Sequence, residues 1–159
     1  MNPKDVKVLL NPEISENQLW DFYVRNDICE AGYGDKKITA IPLKHSHIII
    51  GAFYGDKLVG ILRALSDYSQ AIISEFCLEL ELQGDDTTHG NGSLIKDDKY
   101  GIAKQMGELM KEELIKIGVD FISAVIVENI EESVYSSIGL VENTGHKEYI
   151  WDNRPYVKD

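Results

Sequence analysis

A glycine-bearing turn leads directly into an amphipathic helix in residues 97–118, which read DDKYGIAKQMGELMKEELIKIG. The apolar residues of this helix recur at three- and four-residue steps and therefore share one face. They are Met106, Leu109, Met110, Leu114 and Ile117. Gly101 and Ala103 are small enough for the backbone to approach a ligand, and the first N–H groups of a helix have no partner inside it. We therefore expect an anion site at this helix start, suited to a phosphate or pyrophosphate.

Three strands are expected to precede this region, at His47–Tyr54, Leu58–Ser66 and Gln70–Leu82. In the third strand, apolar residues alternate with residues that are mostly acidic, so one face of the strand is apolar and the other is acidic. The residues of the mostly acidic face are Glu75, Cys77, Glu79 and Glu81. A polar loop, Gln83–Asp98, then joins this strand to the helix and is long for a connection inside one domain.

The N-terminal part predicts a first strand at Val6–Leu10 and a helix from Glu16 to about Cys29. Ser15 and Gln18 have the spacing of a capping box at the start of that helix. A second short helix is expected within residues 35–44.

Downstream of the central helix, the pattern predicts a strand at Phe121–Glu128 and then a short helix that Asn129 can cap and that stops near Gly139. Leu140–Val141 and Glu148–Asp152 are expected to form a final pair of short strands. The whole order indicates one α/β (α+β) domain over residues 1–159, with a mixed, mostly antiparallel central sheet flanked by helices.

The composition excludes some partners. The net charge is −11, from 27 acidic and 16 basic residues, so nucleic acid is not expected as a partner. An acidic surface suits a cationic small molecule or peptide, although it also serves solubility. Two cysteines without metal-ligand spacing, and no apolar run that could span a bilayer, lead us to expect a cytoplasmic protein without a membrane segment. His45 and His47 share a strand face but lack further ligands nearby in sequence, so no metal site is expected.

The order of elements and two short motifs resemble the GNAT superfamily of acyl-coenzyme A-dependent N-acyltransferases. The family's pyrophosphate loop has Arg or Gln, two residues, Gly, any residue, then Gly or Ala. Residues 98–103, DKYGIA, match at Gly101 and Ala103 and depart at Asp98. Tyr135, three further residues and Gly139 also fit a family pattern, whereas Asn129 stands one position away from a frequent asparagine.

The resemblance implies direct transfer of an acetyl group from acetyl-CoA to an amine. It implies that the strand before the glycine loop binds pantetheine through its backbone, around Leu78 and Leu80. The helix start would hold the pyrophosphate. The cofactor-binding residues expected there are Lys99, Tyr100, Gly101, Ile102, Ala103 and Lys104, with Asn129 nearby.

Acetyl transfer to an amine requires a base that deprotonates the ammonium form of the acceptor and an acid that protonates the leaving thiolate. Glu75 and Glu79 share a strand face, and either could take the proton directly or through a water, with Glu75 slightly preferred. The alternative is that both lie on a solvated outer face. Tyr135 is the candidate acid, and its alternative role is packing.

Two functions remain open from the sequence. The first is an N-acetyltransferase acting on a small cationic amine or a peptide amine, possible as a homodimer. The second is a catalytically silent acyl-CoA sensor or partner module, which the departure at Asp98 favours. A nucleotide-binding fold is a weaker third interpretation, because the Gly-x-Gly-x-x-Gly spacing is missing.

Overall fold

The structure, a computed structural model, describes residues 1–29, 38–84 and 94–152. Five strands are formed within these residues. They are β1 (Val6–Leu10), β2 (Ile48–Tyr54), β3 (Lys57–Ser66), β4 (Gln70–Leu78) and β5 (Phe121–Ala124). The helices are α1 (Glu16–Arg25), α2 (Ala40–His45), α3 (Ile102–Lys116) and α4 (Glu132–Ser137), with short 3-10 turns at Pro3–Asp5 and Leu80–Leu82.

The strands form one sheet in the order β1-β2-β3-β4-β5. The first four strands pair antiparallel, and β5 pairs parallel to β4 after the crossover through α3. This mixed, mostly antiparallel sheet confirms the expected fold class.

Helices cover both faces of the sheet. The face against α3 and α4 carries the larger core, in which Met106, Met110 and Leu114 are buried as the helical spacing predicted. The opposite face packs against α1, whose Leu19 and Phe22 are fully buried. Burial on both faces stabilises the sheet as the middle layer of three.

A bulge in β4 decides which side chains face which layer. Arg63 of β3 pairs with Glu75, but the neighbouring Ala64 pairs with Ile73, so β4 holds one extra residue at Ser74. The bulge keeps Phe76 on the α3 face together with Ile73. Glu75 is consequently turned toward the face that α1 covers.

The start of α1 agrees with its predicted capping box. Gln18 N–H donates to Ser15 Oγ at 3.1 Å, and Ser15 N–H donates to Gln18 Oε1 at 3.0 Å. The helix ends at Arg25, earlier than the expected end near Cys29. The expected second helix is found as α2, with Pro42 in its first turn, where a missing N–H costs nothing. Residues 35–37 of that prediction, and 85–93 of the polar loop, lie outside the described residues.

Two expected strand ends were wrong, and one expected strand pair is not found. β4 ends at Leu78 and not at Leu82, because residues 80–82 turn into a 3-10 helix whose Leu82 N–H donates to the Glu79 carbonyl at 2.9 Å. β5 ends at Ala124 and not at Glu128. The expected final pair of strands is also wrong: Leu140–Val141 and the described residues 148–152 form no strand. Leu140 packs against the core of the α3 face, whereas Val141, Tyr149, Ile150 and Trp151 are exposed. In the described part of the chain, no helix has the length and apolar character needed to cross a membrane.

Candidate active site

The two parallel strands separate partway along β4. β5 pairs with β4 only from Gln70 to Ile73, while β4 continues to Leu78. Beyond Ile73, β4 therefore has an edge that β5 does not cover. We call the region between the unpaired ends of the two strands the cleft, and the chain leads from the end of β4 toward the start of α3.

The start of α3 is built for close approach of an anion. Gly101 is its N-cap in the left-handed conformation, with φ of 72°, which glycine adopts without strain. The first bond inside the helix runs from Gln105 N–H to the Gly101 carbonyl, at 3.1 Å. The N–H groups of residues 102–104 therefore point out of the helix end, as expected.

A carboxylate of the protein itself lies on these amides. Ala103 N–H donates to Asp98 Oδ1 at 3.0 Å, and Lys104 N–H donates to Asp98 Oδ2 at 2.8 Å. The amides at the start of α3 thus bind an anion, which is the Asp98 carboxylate, and a phosphate at this position stays a prediction.

The basic residues around this helix start lie near its surface. The Lys99 ammonium lies 5.5 Å from the centre of the Tyr100 ring, and Lys104 Nζ lies 3.7 Å from Glu108 Oε1. Tyr100 and Lys104 are both exposed, whereas Ile102 and Ala103 are buried beneath them. The predicted cofactor residues of the loop are therefore together, with two cations at the rim.

A segment just before this loop bridges the cleft. Gln83 Nε2 donates to the Leu78 carbonyl at 2.8 Å, and Lys96 N–H donates to Gln83 Oε1 at 3.1 Å. On the other side, Val127 N–H donates to Glu131 Oε2 at 2.9 Å, and the Ile95 amide faces the same carboxylate. Residues 95 and 96 are thus connected both to the end of β4 and to the chain that follows β5.

The sequence analysis missed Gln83 and Glu131. Both are buried polar residues, with 0% and 5% of their surface exposed. Burial raises the pKa of Glu131 from its ordinary value, while the amides of Val127 and Ile95 act in the opposite direction. No sequence motif indicates either residue, because each binds backbone groups and a backbone group is present at every position. Gln83 binds the backbone of Leu78 and Lys96, and Glu131 binds the amide of Val127.

Tyr135 lies on α4 with 6% of its surface exposed. Its ring packs edge-on against Phe76 of β4, with 5.7 Å between ring centres. Burial, followed by the negative charge of Glu131 and the Cys77 thiol, raises the pKa of Tyr135. The phenol therefore stays protonated at neutral pH, and among the described residues nothing accepts a hydrogen bond from its hydroxyl.

Glu75 is not on a solvated face. Its side chain is 10% exposed, and Arg63 Nε donates to its Oε2 at 2.5 Å. Arg63 Nη1 also donates to Ser46 Oγ at 2.9 Å, which fixes the guanidinium. The Tyr23 hydroxyl lies beside Glu75, and burial first, then the Glu75 charge, raise the pKa of Tyr23.

Glu79 is held by two cations at the end of β4. Arg25 Nη2 donates to its Oε2 at 2.8 Å and Lys57 Nζ to its Oε1 at 2.7 Å. Arg25 also donates to the Leu58 carbonyl at 2.7 Å. The acidic face expected on this strand is therefore divided: Glu75 and Glu79 are largely buried and paired with cations, whereas Glu81 is exposed. The solvated-face interpretation is wrong for Glu75 and Glu79.

The remaining predicted residues lie around the cleft with different environments. Leu78 is fully buried, and its carbonyl is already engaged by Gln83. Leu80 opens the 3-10 turn, and its expected place in a strand was wrong. Asn129 is exposed with φ of 64°, and its N–H donates to Glu132 Oε1 at 3.1 Å, so it precedes α4 without capping it. In the described ranges, no group of three His, Cys, Asp or Glu residues is arranged to hold a metal.

Solved structures match this chain over almost its full length. A GNAT-family acetyltransferase from Streptococcus pneumoniae TIGR4 is 18% identical, with a TM-score of 0.66 over 94% of this chain and 98% of that one. An aminoglycoside acetyltransferase from an uncultured soil metagenomic sample, in complex with sisomicin, is 16% identical, with a TM-score of 0.61 over 94% and 98%. AAC(6′)-Iy, in complex with the bisubstrate analogue CoA-S-monomethyl-acetylneamine, is 11% identical, with a TM-score of 0.61 over 94% and 98%.

No protein-family model and no curated protein matches the sequence. The structural matches nevertheless agree with one another, and they show that this chain has the GNAT fold. The resemblance drawn from the order of elements and the two motifs is thereby confirmed for the fold.

Proposed function

We propose that this protein is an N-acetyltransferase that moves an acetyl group directly from acetyl-CoA to a primary amine of a small, cationic acceptor. One observation carries the proposal. β4 separates from the parallel strand β5 after Ile73, next to a helix that begins at a left-handed glycine. The uncovered edge of β4 could bind the extended pantetheine arm of acetyl-CoA, and the backbone amides at the helix start could bind its diphosphate.

The acyl donor would lie along the cleft. Backbone groups near Leu78 and Leu80 would bind the pantetheine amides, as an added strand does. The amides of residues 101–104 would bind the pyrophosphate, with Lys99 and Lys104 neutralising its charge and Tyr100 and Asn129 at the rim. Each of these roles follows from the resemblance and from the placement of the residues around one cleft.

The two residues that we assign to the chemistry lie on opposite faces of the sheet. Tyr135 packs on the α3 and α4 face, whereas Glu75 lies on the α1 and α2 face. A thioester that lies in the cleft can then be attacked by an amine from one face while the thiolate leaves toward the other. Direct transfer passes through a tetrahedral adduct in which the C–N bond forms before the C–S bond breaks, so a base beside the amine and a hydrogen-bond donor beside the sulfur can act from different faces.

The base we assign is Glu75, with Glu79 as the other candidate. An acceptor amine must lose a proton before it attacks. Glu75 is paired with one cation, Arg63, whereas Glu79 is paired with both Arg25 and Lys57. We favour Glu75 because fewer ion pairs hold its carboxylate in place.

We assign Tyr135 as the residue that stabilises the leaving thiolate. Its raised pKa makes it a weak acid, so it acts mainly as a neutral hydrogen-bond donor to the departing sulfur. Because nothing among the described residues accepts its hydrogen, the hydroxyl is available for that bond.

A cationic acceptor is supported by the charge of the chain and by its neighbours. The net charge of −11 attracts amines that carry additional positive charge. Two of the structural matches contain sisomicin or an acetylneamine analogue, which are aminoglycoside compounds. We therefore place aminoglycoside-like sugar amines and polyamines first, followed by peptide amines.

The test is release of free thiol from acetyl-CoA in the presence of a panel of amines. The panel contains polyamines, aminoglycosides, peptides with a free N-terminus and neutral amines of matched size. We expect at least one cationic amine to accelerate thiol release and to gain 42 Da by mass spectrometry (the mass of an added acetyl group, about 42 Da). If the protein binds acetyl-CoA but no amine accelerates thiol release, the proposed enzymatic function is contradicted.

The second candidate is a catalytically silent acyl-CoA sensor, and one observation favours it. Asp98 occupies the amides on which a pyrophosphate would lie. A sensor should bind acetyl-CoA and change its conformation or partner without turnover. The same thiol-release assay separates the two functions, since only the enzyme consumes acetyl-CoA when an amine is added.

We further propose a cytoplasmic homodimer. Cys29 and Cys77 are both free thiols, as in a reducing compartment. Val141, Tyr149 and Trp151 are 87%, 91% and 86% exposed, an unusual amount of apolar surface for a monomer. Sedimentation velocity should give about twice the monomer mass, and a single monomeric species at high concentration would contradict the dimer.

A further inference from the structure

We infer that residues 94–98 form an internal plug of the acyl-CoA cleft, and that acyl-CoA binds only after this plug has moved out. The plug consists of the described residues 94–98, which precede Lys99. This inference rests on the proposed function, because it concerns access of the same acyl donor to the same cleft.

The charged end of the plug is Asp98. Each of its carboxylate oxygens accepts a hydrogen bond from α3, from Ala103 N–H at 3.0 Å and from Lys104 N–H at 2.8 Å. A diphosphate that used these amides would have to lie where this carboxylate lies. Two anions cannot share the site, since like charges at this distance repel and only one can receive the two bonds.

The apolar end of the plug is Ile95. It is fully buried in the core that also contains Phe76, Leu78 and Tyr135. Its burial places an aliphatic side chain among the residues proposed to surround the thioester. Movement of the plug would expose this side chain, so the closed form is the stable form without ligand.

Polar bridges hold the plug between the two strands. Gln83 connects Lys96 N–H to the Leu78 carbonyl, and Glu131 connects the chain after β5 to the plug at Ile95. The Leu78 carbonyl is one of the backbone groups proposed to bind pantetheine. Closing the plug therefore uses the same β4 acceptor and the same α3 donors that acyl-CoA would need.

The test compares Asp98→Asn with Asp120→Asn. Both variants remove one carboxylate charge, and in Asp98→Asn the side-chain oxygen of the introduced asparagine can still accept a bond from an amide of α3, so the helix should stay formed. Asp120 is exposed between α3 and β5, outside the plug. We expect Asp98→Asn to bind acetyl-CoA about tenfold more tightly than wild type in isothermal titration calorimetry, and Asp120→Asn to stay within about twofold.

Hydrogen–deuterium exchange provides a readout that does not depend on affinity. We expect the amides of Ile95 and Lys96 to exchange slowly in the free wild-type protein and rapidly at saturating acetyl-CoA. Thermal unfolding of each variant checks that the fold is retained.

The outcomes distinguish the two proposals. If wild type binds acetyl-CoA as tightly as Asp98→Asn, or if Ile95 stays protected in the complex, the plug is overturned and the acyl-CoA function stands. If no variant binds acetyl-CoA at millimolar concentration, the proposed function is overturned and the plug with it.

Discussion

Two buried tyrosines, Tyr23 on α1 and Tyr135 on α4, differ in what surrounds their hydroxyls. Tyr23 lies beside the Glu75 carboxylate, whereas the Tyr135 hydroxyl has no acceptor among the described residues. Burial raises the pKa of both, so both are neutral donors at neutral pH. A donor to which no described residue offers an acceptor can receive one from a bound substrate.

Tyr135→Phe tests this at the level of turnover. We expect kcat to fall by about 10- to 100-fold, because the leaving thiolate loses a hydrogen-bond donor, while the dissociation constant of acetyl-CoA changes less than about threefold. Steady-state kinetics and equilibrium dialysis give the two values. Tyr68→Phe removes an exposed hydroxyl in the β3–β4 turn and should leave both values unchanged. Unchanged kcat in Tyr135→Phe would leave this tyrosine with a packing role only.

The two candidate bases can be separated by measuring activity, with stability measured alongside. Glu75→Gln keeps an oxygen for Arg63 but leaves that largely buried guanidinium without its counter-charge, so it should lower kcat by about 10-fold or more and also lower the free energy of unfolding by about 2–3 kcal/mol. Glu79→Gln leaves Arg25 and Lys57 without their carboxylate and should lower the free energy of unfolding by about 1–2 kcal/mol, since both cations remain partly exposed. Urea unfolding and kcat are measured for both variants. The reverse pattern would move the base to Glu79.

At the scale of elements, α3 depends on the conformation of one residue at its start. Gly101→Ala places a side chain at φ of 72°, although an added Cβ would meet no atom within 4 Å. We expect a loss of about 1–2 kcal/mol in urea unfolding, from backbone strain alone.

Gly55→Ala is a matched control for that change. Gly55 has φ of 60° in the β2–β3 turn and equally open surroundings. It should lose similar stability without any change in acetyl-CoA binding, whereas Gly101→Ala should also weaken binding because the amides at the helix start shift. Equal acetyl-CoA binding in the two variants would show that the α3 start does not hold the ligand.

The sequence predicted elements where the pattern is local and missed those set by distant contacts. The period of α3 and the capping box at Ser15 depend on neighbours within a few residues, and both are found. The end of β4 depends on Gln83, which bonds back to Leu78 after the 3-10 turn.

In the candidate site, too, features with a local cause were predictable and features set by distant contacts were not. The anion-binding character of the α3 start follows from its local sequence. Its occupation by Asp98 does not, because the carboxylate could equally have pointed into solvent. The burial of Glu75 and Glu79 depends on cations from α1 and β3, and no spacing in β4 indicates them.

For the whole molecule, the buried tyrosines make stability depend on alkaline pH. A tyrosine whose pKa is raised on folding contributes fully below its unfolded pKa of about 10, and this contribution is lost as the pH rises above that value. Wild type should therefore lose more stability between about pH 9 and about pH 11 than Tyr135→Phe does, by about 1 kcal/mol. Urea unfolding at the two pH values measures it, with Tyr68→Phe as the control that keeps the wild-type loss.

The charge of the whole chain makes a last prediction about the acceptor. A net charge of −11 attracts a polyamine and repels acetyl-CoA, and salt screens both effects. Raising the ionic strength from about 0.05 M to about 0.5 M should raise KM for a polyamine several-fold and should not raise KM for acetyl-CoA. An aromatic amine that is neutral at pH 7 serves as the control acceptor and should show little change. If KM for the polyamine and for the neutral amine respond alike, the acceptor is recognised by shape and not by charge, since only a charged acceptor can experience the field of the chain.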